Sequence, residues 1–338
     1  MGTLTALTKK KIFWPLVALG VLMLFNLFFT PNFFRMEIKD GHLYGNLIDI
    51  IKNAAPIMLM AIGLTLVIAT KGIDISVGSI VAISAGVVAM MIGSGTTPNF
   101  PFAIAIAAAL LVSIAAGFWN GMLVSRLGMQ PIIATLILLV AGRGIAMVTT
   151  DAMIIWLYAR PFAIIGQGYF LGLPFSIYIV AVLILLTSFV TRRTALGLFI
   201  ESVGINRTAA RFTGINAKNI LLGVYMFSAF CAGLAGIVVC STVMSADGNN
   251  AGDGYEMSAI LAVVLGGTSL NGGQFYLFGS MVGALIVQTL TTTIYAFGVP
   301  PEISKIVIAA VVIFVSLLQS RKFRSMFMQI FGIKAVQE

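Results

Sequence analysis

The sequence predicts an all-α, polytopic membrane helix bundle of about ten transmembrane helices, arranged as two pseudo-repeated halves. Three observations carry that expectation. The residue types AVILMFWYC make up 59% of the 338 positions, and only 9% are charged, where a soluble domain carries about 25%. So few polar groups leave lipid as the only solvent the surface can match. The apolar residues gather into runs near the length of about 20 residues that a crossing needs. Two of these runs are short, flanked by glycine, and carry related motifs in the two halves.

The first run, near Phe13 to Thr30, follows Lys9, Lys10 and Lys11. No small-x-small cleavage site precedes Pro31, so it reads as a retained helix and not a removed leader. Leu47 to Thr70 is the second run, and Val77 to Gly93 is the first short one. Phe102 to Ser125, Pro131 to Thr150 and Leu173 to Val190 follow, each followed by loop or basic residues. Ile220 to Met244 precedes the second short run, Met257 to Gly267; Phe275 to Phe297 and Ile303 to Ser320 complete the set. The chain 1–338 thus reads as one membrane domain, with a first half at about 47–150, a second at about 220–320, and a polar loop at about 191–219 between them.

The charges orient this map. With the amino terminus in the cytoplasm, ten crossings return the carboxyl terminus to the same side. Fourteen of the 20 basic residues then fall inside, among them Lys71, Arg126, Arg192, Arg193, Arg207, Arg211, Lys218, Arg321, Lys322, Arg324 and Lys334. The bias follows the positive-inside rule. The net charge of +9 does not point to nucleic acid, because the basic residues sit at the ends of apolar runs and not along one surface or arm. Cys231 and Cys240 lie in one run, about 13 Å apart as helix and beyond disulfide reach. His42 has no ligating neighbours and reads as a surface loop residue.

Around the first short run the chain reads Gly72-Ile-Asp74-Ile-Ser76-Val-Gly78; around the second, Gly267-Thr-Ser269-Leu-Asn271-Gly-Gly273. Both join two apolar runs on the same expected side, as in transporters built from repeats with interrupted helices. The glycines also suit close helix packing. Asp74 either caps the helix that begins near Val77, where exposed N–H groups and the dipole favour a carboxylate, or takes part in substrate passage or a proton relay.

Within the loop at 191–219, Asn206 can cap a short helix carrying Thr208 to Phe212, and Gly214 can end it in a left-handed conformation. Two turns do not stand alone in water. The helix packs either on its own bundle or in the groove of a partner.

The loop Glu201-x-x-Gly204-x-Asn206-x-x-Ala209-Ala210-Arg211-x-x-Gly214-Ile-Asn216, with the two motifs above, resembles the permease subunits of ABC importers for simple sugars. The likeness covers roughly Leu47 to Leu318. Ala55-Pro56, Ala141-Gly-Arg143-Gly and Ala246-Asp247-x-Asn249-Asn250-Ala251-Gly252 are most similar to permeases of the galactofuranose type. The resemblance implies a second permease chain, identical or related, a cytoplasmic ATPase subunit that holds ATP and Mg2+, a periplasmic sugar-binding protein and a monosaccharide substrate. It also implies a location in the bacterial inner membrane. Glu201 to Gly214 would be the helix that couples to the ATPase, through Glu201, Gly204, Asn206, Ala209, Ala210 and Gly214. One departure stands out. Many relatives carry Glu-Leu-Asp-Ala where this chain has Glu256-Met257-Ser258-Ala259.

A neutral sugar needs hydrogen-bonding groups along its path. Candidates for the path are Asp74, Ser76, Asn120, Thr135, Arg143 and Glu256, with Thr65, Gln288 and Thr291 to Thr293 as further polar groups within apolar runs. Asn and Thr there also serve as glue between helices. Arg143 calls for a partner, because an unpaired intramembrane Arg costs at least about 2.5 kcal/mol; Asp151 and Asp74 are its candidates. The sequence has no G-x-x-x-x-G-K-[ST] phosphate loop, no hydrolase motif and no cofactor signature. The expectation is therefore a non-enzymatic permease driven by a separate ATPase. The alternative is an ion-coupled secondary transporter of a small neutral solute, for which Asp74 is the one acid near the required depth.

Overall fold

The computed structural model describes residues 12–39 and 42–298, with residues 300, 303, 306, 307, 309, 310 and 313 beyond them. The tenth apolar run, the lysines at 9–11 and the basic residues from 321 onward lie largely or wholly outside the described residues. The chain is mainly helical. In order it forms α1 (Phe13–Phe29), a hairpin of β1 (Glu37–Lys39) and β2 (His42–Tyr44), α2 (Asn46–Ala69), α3 (Val77–Ile92), α4 (Phe102–Ser125), α5 (Pro131–Thr149), β3 (Ile154–Trp156) and α6 (Arg160–Gln167). The strands β4 (Tyr169–Phe170) and β5 (Leu173–Pro174) precede α7 (Phe175–Arg193), α8 (Leu196–Ile205), α9 (Arg207–Phe212) and α10 (Ala217–Val243). Then come β6 (Ser245–Asp247), α11 (Tyr255–Leu265) and α12 (Leu277–Ala296).

Among the described residues six helices (α2, α4, α5, α7, α10 and α12) are long and apolar enough to cross a membrane. The short runs form α3 and α11, of 16 and 11 residues. The sequence expectation missed α6, and the family resemblance drew Glu201 to Gly214 as one helix where the chain forms α8 and α9.

Burial sorts the helices into a core and a rim. The apolar window of α2 is 83% buried, against 22% in α4. A helix that is apolar on every side belongs either to lipid or to the centre of a protein; α2 takes the centre, packed against α10, α12, α11 and α7. α10 fills the space between α2, α3 and α4. Small residues set those distances. A Cβ on Gly63 of α2 would lie 2.7 Å from the Cα of Ser228, and one on Gly117 of α4 would lie 2.7 Å from the carbonyl of Tyr225. In an apolar solvent such close backbone approach is a main source of helix association.

Buried polar side chains tie the same helices. Asn26 Nδ2 of α1 donates to Thr293 Oγ1 of α12 at 2.8 Å, and the hydroxyls of Thr65 and Ser280 share a hydrogen bond of 2.7 Å. Thr65 and Thr293 thus act as glue between helices. Cys231 and Cys240 are free thiols, both buried. His42 departs from the expectation of a loop residue: it lies in β2, half-buried, with its ring stacked on Tyr169 at 4.8 Å. At the same end of the bundle β3 pairs antiparallel with β6, with Ile154 opposite Asp247, and so links segments far apart in sequence.

Gly117→Val places branched carbons against the α10 backbone. It should lower detergent-phase stability by about 1–3 kcal/mol, the usual cost of overpacking. Gly223→Ala, whose Cβ would meet open space, should melt no earlier than the parent chain. Thermal unfolding of the two variants in one detergent checks the contrast.

Candidate functional site

At one end of the bundle four stretches of backbone meet. The carbonyl of Ala69, at the end of α2, accepts the N–H of Gly273 at 2.8 Å. Lys71 Nζ donates to the carbonyl of Ile205 at 3.0 Å, and Arg207 Nη2 to that of Thr70 at 3.3 Å. Gly204, in the last turn of α8, sits so close that an added Cβ would overlap the Ala69 carbonyl and lie 2.6 Å from the Gly273 nitrogen. Gly273 has φ +84°, which disfavours a side chain, and its own Cβ would lie 2.7 Å from Ile205 Cγ1. The second glycine-rich motif therefore touches the end of α2 just before the first motif, and α8 is fastened across that contact.

Beyond that joint stands α9. Asn206 has an extended backbone that separates it from α8, and its Oδ1 accepts the N–H groups of Thr208 and Ala209 at 2.9 and 3.1 Å. That is the expected cap. Gly214, just past the helix, has φ +86°, also as expected. Ala210 packs under α9 with Val203 and Leu221. The other five residues of α9 are exposed, and Phe212 shows 87% of its surface. Glu201 lies half-buried beside Thr191, Arg192 and Phe275. The single helix from Glu201 to Gly214 implied by the family resemblance is in fact two helices, because Asn206 cannot both cap the second and continue the first.

Inward from the joint, the segment 70–76 is held by a buried polar cluster. Asp74 is 1% exposed. Its Oδ1 accepts the Ser76 N–H at 3.1 Å and the Ser76 hydroxyl at 2.6 Å, and its Oδ2 accepts the Ser228 hydroxyl of α10 at 3.1 Å. Asn120 of α4 donates to Ser76 Oγ at 2.8 Å, and Thr135 of α5 to the carbonyl of Ile73 at 3.3 Å. Asp74, Ser76, Asn120 and Thr135 thus meet in one place. Asp74 does not cap α3. Ser76 occupies the cap position and no side chain bonds the first-turn N–H groups, because the serines of the cluster claim both carboxylate oxygens.

Arg143 and Glu256 belong to a different place. Arg143 Nη1 donates to the carbonyl of Asn249 at 3.3 Å and to that of Ala251; neither Asp151 nor Asp74 is its hydrogen-bond partner. The segment 245–254 descends beside it. Gly248 packs on the carbonyl of Ala146, one turn from the end of α5, while Gly252 packs on Gly78 and Val81, in the first turns of α3. Gly142 of α5 lies against Ser79 of α3, so those levels differ by about one helical turn, on the order of 6 Å. Asn249, Asn250 and Asp253 stay exposed along the descent. Partial burial works against the charge of Asp247, but hydrogen bonds from the Asn250 side chain and the N–H groups of Asn249 and Asn250, helped by nearby Arg143, hold its carboxyl below the ordinary range. Glu256 is buried in the first turn of α11, against Gly78, with Oε2 accepting no hydrogen bond among the described residues. Sequence reasoning found Arg143 and Glu256 but missed Asn249, Asn250 and Asp253 as a polar surface, because short polar segments between apolar runs read as ordinary loop.

Comparison with known proteins agrees with this architecture. The family described as branched-chain amino acid transport system / permease component matches residues 46–316. The galactofuranose transporter permease protein YtfT of Escherichia coli is 45% identical, over 95% of each chain. The fructose import permease protein FruF of Bifidobacterium longum is 39% identical over 95% of this chain and 90% of its own, and the ribose import permease protein RbsC of Escherichia coli 36% over 91% and 93%. No solved structure matches the chain. With the motifs in place and the match running nearly end to end, the chain belongs to this family of transport-system permease components, among which the sugar-import permeases are its relatives.

Proposed function

We propose that this chain is the permease subunit of an ATP-driven importer in a bacterial inner membrane, passing a neutral monosaccharide of the galactofuranose type delivered by a periplasmic binding protein. The observation that carries the reading is the joint of α8 and α9: a capped, exposed helix fastened by the Lys71 and Arg207 side chains to the end of α2, where the second glycine-rich motif also binds. An exposed Phe on a six-residue helix is a docking element, since neither solubility nor intrinsic helix stability favours it. Its partner in this reading is a cytoplasmic ATPase subunit, which holds the ATP and Mg2+ that this chain lacks a phosphate loop to bind.

In that orientation α9 faces the cytoplasm and both termini lie on the same side. The chain forms a single domain with ten crossings in two related halves, about 47–150 and 220–320, joined by the coupling loop at 191–219. Work delivered to α9 reaches α8 across Asn206, then Ala69, Thr70 and Gly273 through the joint. Residues 70–76 pass it to α4, α5 and α10 through Asp74, Ser76, Asn120 and Thr135.

The path itself is proposed along residues 245–254. Asn249, Asn250 and Asp253 are exposed beside Arg143 on a segment packed within about two turns of the end of α5. Exposed polar groups at that depth cannot face lipid. They face a second permease chain, identical or related, with a watery seam between the two. A sugar crossing there meets amide and carboxylate groups and needs no charge compensation. The ion-coupled alternative relies on Asp74, whose two oxygens are occupied by three hydrogen bonds from Ser76 and Ser228; that favours a structural part for it.

Phe212→Ala should leave the melting temperature unchanged and weaken copurification of the cognate ATPase; full copurification with full uptake would remove α9 as the docking element. Gly204→Val should keep the ATPase bound but lower ATP-driven uptake in vesicles, since the joint cannot close around a branched side chain. Arg143→Met should assemble normally and lose uptake by roughly tenfold or more, the factor implied by about 1.5–3 kcal/mol of charge-assisted hydrogen bonding.

A further inference from the structure

Between α2, α7, α8 and α10 the bundle leaves a cleft of about 480 Å3. That is the size of a ligand site, since small-molecule pockets run from about 300 to 1,000 Å3. Its two ends differ in character. Thr187, Thr191 and Asn219 line it near the end of α7 and the start of α10, beside α8, while Leu183, Phe227 and Phe230 line it further in. From Asn219 to Phe230 the wall of α10 rises about 16 Å at 1.5 Å per residue. Spread over that length, 480 Å3 gives a cross-section on the order of 30 Å2, too narrow for a helix about 10 Å across. A polymethylene chain fits it.

Basic side chains gather at the polar end. Arg126 Nη2 donates to Asn219 Oδ1 at 2.9 Å. Arg192 follows Thr191 in the chain, with its guanidinium 5.8 Å from the ring centre of Phe278. Arg193 and Lys218 are exposed at the same helix ends. Glu201 is the acid nearby, lining a smaller hollow with Thr191 and Arg192, so the mouth keeps a positive excess.

A narrow apolar slot opening at a cationic mouth matches one kind of molecule. We propose that the cleft binds an anionic phospholipid of the surrounding bilayer, with one acyl chain lying between α7 and α10 and its phosphate held among Arg126, Arg192 and Lys218. Basic pockets between transmembrane helices serve as head-group sites in general, and the polar-to-apolar gradient here sets the lipid's direction. The site is separate from the sugar path along residues 245–254.

Gly223 gives a direct handle, because it lines the cleft and a Cβ there meets open space. Gly223→Leu fills the slot from an outward position on α10, and its melting temperature should match that of the parent. The full-length chain is reconstituted in nanodiscs of phosphatidylcholine with and without phosphatidylglycerol, and retained lipid is read by native mass spectrometry. The parent should keep phosphatidylglycerol in preference to phosphatidylcholine, and Gly223→Leu should keep neither at this site. Arg192→Gln and Lys218→Gln should each weaken the preference about fivefold, the factor that about 1 kcal/mol per basic side chain gives. Equal retention of the two lipids by the parent, or phosphatidylglycerol held undiminished by Gly223→Leu, overturns the proposal. So does a Gly223→Cys variant that links two copies by a disulfide in the nanodisc, which would give the cleft to a second chain.

Discussion

The carbonyl of Ala69 ends α2 with no helical donor ahead of it, and it is the N–H of Gly273, some two hundred residues away, that satisfies it. Water would do this at the end of a soluble helix. In an apolar bundle an interrupted helix survives only where other protein supplies the missing partners. Once α2 stops at Thr70, the chain must therefore bring the second glycine-rich motif to it, and that requirement fixes where α11 ends and α12 begins. Lys71 and Arg207 extend the same logic to Ile205 and Thr70, so α8 and α9 become part of the repair. α8 and α9 are attached because they complete a backbone hydrogen-bond account.

Glycine at 204 follows from the same geometry. The α8 backbone must come close enough for Lys71 to reach the Ile205 carbonyl, and at that range a Cβ on residue 204 would occupy the position of the Ala69 oxygen. The joint is consequently stiff, since close backbone contacts leave little room to slide. The bend between α8 and α9 falls at Asn206, where the backbone is extended and the side chain serves α9. A partner that moves α9 acts against a rigid bar with a single bend at its outer end.

Much of this was legible before any coordinates. The apolar runs marked the helices, the paired motifs marked both interruptions, and Asn206 with Gly214 marked α9, because each signal is local: a run, a cap, a positive φ. Signals from distant partners were not. Asp74 read as a cap since the sequence shows it two residues before Ser76, but not that Ser228 and Asn120 arrive from α10 and α4 to form the rest of its cluster. Arg143 read as needing an acid, whereas backbone carbonyls of Asn249 and Ala251 receive it, and a carbonyl leaves no trace in composition. The split between α8 and α9 was hidden for another reason. Asn206 marked the start of α9, but nothing local marked Leu196–Ile205 as a helix of its own, and the family resemblance drew Glu201 to Gly214 as one helix.

The depth of residues 245–254 also follows from interrupted helices. α3 and α11 are both too short to cross a bilayer, and the first turns of the two meet where Glu256 lies against Gly78. Each helix start offers unpaired N–H groups and the positive end of a dipole. Glu256 Oε2 lies between these two ends, buried and without a hydrogen bond among the described residues. Because Gly78 accepts no side chain at that contact, the two starts are held at one level. The chain leading into α11 must then descend from the end of α10 to reach it, and it does so as Asn249, Asn250, Ala251, Gly252 and Asp253, with Arg143 bracing the carbonyls on the way. The exposed polar surface beside Arg143 is thus the geometric result of making α11 short.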